Sequence, residues 1–199
     1  PMITDASIDR IAEREAAAFC AANPKSLTLA QQASTNWFQG VPFHWMLDWP
    51  SPAPLVAAHA QGAVLTTVDG RKLDDFCLGD TASMFGHSPK PLADAIAKQA
   101  GEGLSYMLPT EKGVELGEML ARMFGLPRWQ VTTTASEANR AVIRWCRGIT
   151  GRKKILIFNG CYHGAVDDVF VDLRDGQPET RQSLVGQVWD LRDHTIAIE

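Results

Sequence analysis

Several things are scarce in this sequence, and each scarcity removes a class of function. No stretch approaches the roughly 18 consecutive apolar residues of a membrane span. The amino end, PMITDASIDRIAERE, is acidic where a secretory leader would run from basic to apolar. A cytoplasmic protein without a membrane partner is the expectation. Clustered basic charge is also missing: 19 Lys and Arg lie scattered against 23 Asp and Glu, for a formal charge of −4. Such a chain has little with which to neutralise phosphates, so a nucleic-acid partner is not expected. The four cysteines, Cys20, Cys77, Cys146 and Cys161, show no C-x-x-C spacing. That argues against a zinc framework or a disulfide scaffold and leaves buried free thiols as the expectation. Lys and Arg are absent altogether between Lys25 and Arg71. Internal repeats and low-complexity tracts are lacking as well.

What is present is ordinary globular material, 45% hydrophobic and 21% charged. The chain starts at Pro1 and stops at Glu199 directly after Thr195-Ile196-Ala197-Ile198, an alternating run that reads as a strand in progress. The expectation is a portion of a longer polypeptide.

Residues 6–22 are alanine-rich and helical in composition, with Asn23-Pro24 ending the element. An irregular stretch follows, NWFQGVPFHWMLDWPSPAP, in which prolines forbid regular structure. Residues 55–76 read as short antiparallel strands around a Val68-Asp69-Gly70-Arg71 turn. Helices are expected over 89–100 and from Thr110, a natural N-cap, through Phe124. Trp129–Thr132 reads as a short strand. Thr134-Ala135-Ser136-Glu137 then has the S/T-x-x-E pattern of a capping box. Ala138, Ala141, Val142, Trp145, Cys146 and Ile149 follow at helical spacing until Gly151, and Lys154–Phe158 is a second strand. Strand, helix, strand of this length favours two parallel strands with the helix crossing one face.

In such a unit the carboxyl ends of the strands share an edge with the helix start, where ligands gather. Thr133–Ser136 offers hydroxyls and helix-start amides suited to a phosphate dianion. Gly160–Gly164 presents Tyr162 and His163 at the end of the other strand. Together they suit a phosphorylated aromatic cofactor. Each also has a plainer reading, as a helix cap and as a packed loop.

The run TTTASEANRAVIRWCRGITGRKKILIFNGCYHG resembles the cofactor segment of the class III aminotransferases, pyridoxal-phosphate enzymes that include glutamate-1-semialdehyde aminomutase and β-amino-acid transaminases. Upstream, VDGRKLDDF, GHSPKPL and LPTEKGVEL match the family in order and spacing, so the resemblance runs from about Gln31 to Val166. It implies an α/β fold, the first part of a fold-type I pyridoxal-phosphate transferase large domain over 81–199. Residues 1–80 would form an amino-terminal segment with a helix and a small antiparallel sheet.

The resemblance also implies that pyridoxal 5′-phosphate is the cofactor, with Thr134, Ala135 and Ser136 in its phosphate loop. Tyr162 would lie against the ring, His163 would support it, and Glu137 would cap the helix. Ala135 stands where the family has glycine. The lysine that bonds the cofactor is expected beyond Glu199, so no catalytic residue is assigned here and the 199 residues alone are expected to be inactive. Substrates would be a small amino donor and a carbonyl acceptor, and the protein a homodimer with Ser105–Thr110 near its interface. The loop corresponding to Gly40–Trp49 lacks the family's arginine, and Asp80 replaces a pocket tryptophan. Trp45 and Asp80 are therefore the candidate substrate contacts, in a pocket suited to apolar or aryl amines; these aromatics also fit a packing role.

Three other readings stay open. One is an amino shift like that of glutamate-1-semialdehyde aminomutase. Another is a noncatalytic binding or dimerisation module. A metal hydrolase using His44, His87 and His163 is weaker, since no two histidines have ligand-like spacing, and no metal is expected.

Overall fold

A computed structural model of the chain describes residues 4–182 and 184–199. The chain divides into two compact units, residues 1–107 and 108–199.

The first unit opens with α1 (Asp5–Ala22), which ends at Asn23 as the sequence indicates. A second helix the sequence reading did not anticipate, α2 (Pro24–Ala33), starts at once, because proline at the first helical position fixes φ and lacks an N–H that would be unpaired there anyway. The next two free N–H groups are capped from a distance. Asp69 Oδ1 accepts from the Lys25 amide at 2.7 Å, and Oδ2 accepts from the Ser26 amide at 3.0 Å and its hydroxyl at 2.6 Å. Burial would raise the Asp69 pKa, but the Ser26 hydroxyl, the two amides and the Lys25 charge together hold it below the ordinary value. Asn23 donates to Phe19 O (2.7 Å) and accepts from Arg71 Nη1 (3.3 Å). Asn23, Ser26 and Thr67 are buried at this junction.

The irregular aromatic stretch keeps only two single turns, Phe38–Gly40 and His44–Leu47. The expected small sheet is present: β1 (Ala57–Gln61), β2 (Val64–Thr67) and β3 (Lys72–Asp74) pair antiparallel in that order. Gly70, at φ +81°, makes the β2–β3 turn. Helix α3 (Lys90–Glu102) completes the elements of this unit.

The second unit begins with α4 (Glu111–Phe124), capped by the Thr110 hydroxyl accepting from Gly113 N at 3.3 Å. Helix α5 (Ala135–Thr150) follows, bounded by the expected Thr134–Glu137 capping box and by Gly151 in the left-handed conformation. Trp129–Thr132 is not a strand, because a strand exists through pairing and no segment among the described residues pairs with it. The parallel partner of β4 (Ile155–Phe158) is instead β7 (Thr195–Ile198), with Ile155 opposite Thr195. Between them lies an unanticipated hairpin, β5 (Val171–Arg174) and β6 (Gln177–Thr180), closed by Asp175 and Gly176 at φ +52° and +73°.

Ile157, Val166, Val169, Val171, Leu191 and Ala197 form the buried core, with Ile143 of α5 packed against it. Of the apolar run read from the sequence, only Ala138 and Ala141 are half-buried. Val142, Trp145 and Ile149 are exposed, and Asn139, Ile143 and Arg147 face inward. Arg147 pins the far end of α5 by donating to Lys153 O (2.7 Å) and Asp168 Oδ1 (2.8 Å). The cysteines are free, but Cys77, Cys146 and Cys161 are exposed rather than buried. No helix among the described residues is long and apolar enough to cross a membrane.

Candidate cofactor site

The start of α5 is organised by reciprocal capping. The Thr134 hydroxyl accepts from Glu137 N at 3.2 Å, while Glu137 Oε2 accepts from the amides of Thr133 (3.1 Å) and Thr134 (3.3 Å) and from the Thr133 hydroxyl. The Thr133 hydroxyl and these amides lower the Glu137 pKa against the opposing effect of burial. Glu137 is thus a cap, and the amides of Thr133 and Thr134 are already committed to it. The amides of Ala135 and Ser136 have no partner among the described residues. They stand at the positive end of a 16-residue helix.

Ser136 does two things at once. Its Oγ accepts from Ala165 N at 2.9 Å, tying the loop after β4 to the helix start, and its own O–H remains available to donate. The approach is close enough to require glycine at 164. A Cβ there would lie 2.8 Å from Ser136 Oγ and 3.0 Å from Ser136 Cα, at a φ of +91°. Asn139 adds a second tie, its Nδ2 donating to His163 O at 2.8 Å.

The two loops therefore meet, although not through the strand pairing that the sequence suggested. Thr134, Ala135 and Ser136 form one side. On the other, the His163 ring is held against Phe158 O at 3.2 Å, back at the end of β4. Tyr162 stays 78% exposed, on the rim of an open hollow of about 430 Å³ that it shares with Asn159, Asp172, Arg174 and Arg181. Unpaired amides, a free hydroxyl donor and an uncovered aromatic ring fit a phosphorylated aromatic cofactor. Asn139 and Ala165 were not singled out from sequence. Gly164 was seen only as a flanking glycine, and its H-G-A context was the available signal.

Lys153 and Lys154 precede β4 and so lie at the end opposite Tyr162. In the first unit, Trp45 stacks on Phe43 at 5.8 Å and meets Trp49 edge-on at 5.9 Å, with its ring partly exposed. Asp80 is exposed, at φ +51°. Among the described residues no three His, Cys, Asp or Glu side chains gather as a metal site requires.

The sequence profile of Aminotransferase class-III matches residues 47–181. Glutamate-1-semialdehyde 2,1-aminomutase of Nitrosopumilus maritimus is 40% identical over 150 residues, which cover 74% of this chain and 35% of that protein. A crystal structure of a glutamate-1-semialdehyde aminomutase from Pseudomonas aeruginosa, in complex with PMP, superimposes with a TM-score of 0.92 at 41% identity. That match covers 98% of this chain and 44% of the other. An omega-transaminase from Sphaerobacter thermophilus matches with a TM-score of 0.75 and 28% identity, over 87% of this chain and 41% of that one. The chain thus spans less than half the length of these relatives. The fold is a part of the fold-type I pyridoxal-phosphate transferase architecture. With the family profile spanning most of its length, the chain belongs to the class-III aminotransferases.

Proposed function

We propose that the whole protein transfers amino groups with pyridoxal 5′-phosphate, taking an amine or amino acid as donor and a keto acid or aldehyde as acceptor. The observation that carries this reading is the Ser136 hydroxyl. It ties Ala165 to the helix start and keeps a donor hydrogen beside the unpaired Ala135 and Ser136 amides. Those three donors would hold the phosphate, immediately beyond the amides Glu137 occupies. Thr134 contributes its hydroxyl and sets the cap. Tyr162 would cover one face of the ring, and His163 and Asn139 fix the loop that carries it. When bound, the cofactor supplies an electron sink for cleavage of a bond at the amine-bearing carbon. A lysine outside these 199 residues would bond the cofactor and move the proton, so these residues bind and orient rather than catalyse. The active protein is a cytoplasmic homodimer, with Ser105–Thr110 near the shared interface.

Substrate choice follows from the cation-free interval. Phe43, Trp45 and Trp49 form a contiguous aromatic group without an arginine to neutralise a side-chain carboxylate. Such a surface favours hydrocarbon and disfavours an unpaired charge. Apolar or aryl amines are the preferred donors, with Trp45 the apolar contact and Asp80 the polar one. A second reading, an amino shift within glutamate 1-semialdehyde, is favoured by the 40–41% identity to aminomutases. The two separate on one panel with the full-length enzyme. Turnover of 1-phenylethylamine with pyruvate supports transfer, whereas turnover of glutamate 1-semialdehyde alone, with aryl amines inert, supports the shift. Loss of the cofactor's visible absorbance on borohydride treatment tests the pyridoxal-phosphate assignment independently.

A further inference from the structure

In the first unit, the segment Cys77–Gly86 adopts a conformation that its side chains do little to explain. Leu78, Gly79, Asp80 and Thr81 all lie at positive φ, between +51° and +76°, and three of the four are not glycine. Non-glycine residues occupy this region at a steric cost and stay there only where surrounding contacts over-determine it. Apolar burial does not supply those contacts, since Phe76, Met84 and Phe85 are 93%, 67% and 92% exposed.

A polar cluster does. Asp75 Oδ1 accepts from the amides of Cys77 (2.8 Å) and Leu78 (3.0 Å), starting the turn. Asp75 Oδ2 meets His87 Nε2 at 2.5 Å, and His87 Nδ1 meets Ser83 Oγ at 3.3 Å. One imidazole thereby joins the beginning, the middle and the end of the segment. His87 is anchored in turn through both backbone groups to Gly62, in the β1–β2 turn, at 2.9 and 2.8 Å. The His87 and Asp75 side chains are only 20% and 11% exposed. The hydrogen bond from His87, with the two amides, holds the Asp75 carboxyl below its ordinary pKa.

We propose that His87 is a positioning residue: through Asp75 and Ser83 it fixes the left-handed turn that presents Asp80 to the amino donor. The proposal rests on Asp80 being a substrate contact, as argued above. Its signature is a loss of donor affinity with cofactor content and kcat retained.

The test uses the full-length holoenzyme with pyruvate as acceptor and 1-phenylethylamine as donor, or glutamate 1-semialdehyde alone if the panel selects it. His87→Ala should raise KM by roughly tenfold at nearly unchanged kcat and cofactor content, the pattern of lost ground-state binding. His87→Gln, whose amide can still donate to Asp75, should restore most of the loss. Asp80→Ala should raise KM similarly, and the double variant should be no worse than Asp80→Ala, as expected if one residue acts through the other. Chymotrypsin, which cuts beside Phe76, Leu78 and Phe85, should cleave His87→Ala faster than wild type. Ser83→Ala, a milder change, should shift KM in the same direction by less and serves if His87→Ala does not fold. Wild-type KM and protease resistance in His87→Ala, or additive effects in the double variant, would overturn the proposal. Wild-type KM in Asp80→Ala would instead remove Asp80 from the substrate site; the chymotrypsin rate then decides alone whether His87 holds the turn.

Discussion

The two units of this chain are held together by different forces. In residues 1–107 Val41 is the only buried apolar side chain among those described, and the tight contacts are polar. Asp69 caps α2 from the β2–β3 turn, Arg71 reaches Asn23, and Asp75, His87 and Ser83 shape the turn around Asp80. In residues 108–199 six buried apolar residues form one core behind β4, β5 and β7, and the polar contacts lie at its edges, where the two loops meet. An apolar base suits the proposed phosphate site, whose donors would have to keep fixed places. Directional polar contacts suit a segment that must keep an unfavourable backbone shape without burying it.

The contrast breaks most visibly if deleting a large apolar side chain costs as much in the first unit as in the second. Leu191→Ala empties a fully buried position and should cost about 2–5 kcal/mol in denaturant unfolding. Ile8→Ala, at a 53% exposed site on α1, should stay within about 0.5 kcal/mol. Similar losses at both sites would refute the distinction.

A smaller effect is expected at the site itself. Tyr162→Ala in the full-length protein should weaken pyridoxal-phosphate binding by about 1 kcal/mol, roughly fivefold, since an exposed ring has stacking to lose and little packing. Fluorescence titration with the cofactor measures it, and unchanged affinity would remove Tyr162 from the site.

Acid provides the gentlest comparison. Asp69 and Asp75 have folded pKa values below their ordinary values, so their contribution is complete above about pH 4, the unfolded carboxylate range. It is lost as pH falls further through the folded values. Proteolysis of residues 1–107 should therefore accelerate below pH 4 before the core around Leu191 opens. In the second unit the depressed acids are Glu137 and Asp190, the latter held to about 2 by Arg192; both lie outside that core. Simultaneous loss of both units would argue against the distinction.

How much of this was legible depended on the range of the contact involved. Local grammar was readable: the Thr134–Glu137 box, Thr110 as a cap, Gly151 as a stop and the Asp69-Gly70 turn all appear as read. Pairing at a distance was not. The strand after α5 was foreseen, but its partner is β7, some forty residues on, rather than Trp129–Thr132. The core side of α5 was not legible for a related reason. Periodicity identifies an apolar stripe, whereas Asn139 and Arg147 turn inward because their partners, His163 O and Asp168, arrive from another element. The β5–β6 hairpin could have been found, since Asp175-Gly176 is a strong two-residue turn signal. At the candidate cofactor site the two loops were singled out from sequence, but Gly164 shows its purpose only once its distance to Ser136 is known.

Whether the start of α5 and the loop after β4 jointly hold a phosphate is tested most directly by Ser136→Asp in the full-length apoprotein. A carboxylate there can still accept from Ala165 N, and an acid in the first turn of a helix is favourable, so the apoprotein's melting temperature should be nearly unchanged. The same negative charge, facing a phosphate dianion across the unpaired Ala135 and Ser136 amides, should abolish cofactor uptake in a titration with pyridoxal 5′-phosphate. A stable variant that takes up no cofactor is the expected result; a variant that fills to the wild-type level would show that the phosphate lies elsewhere.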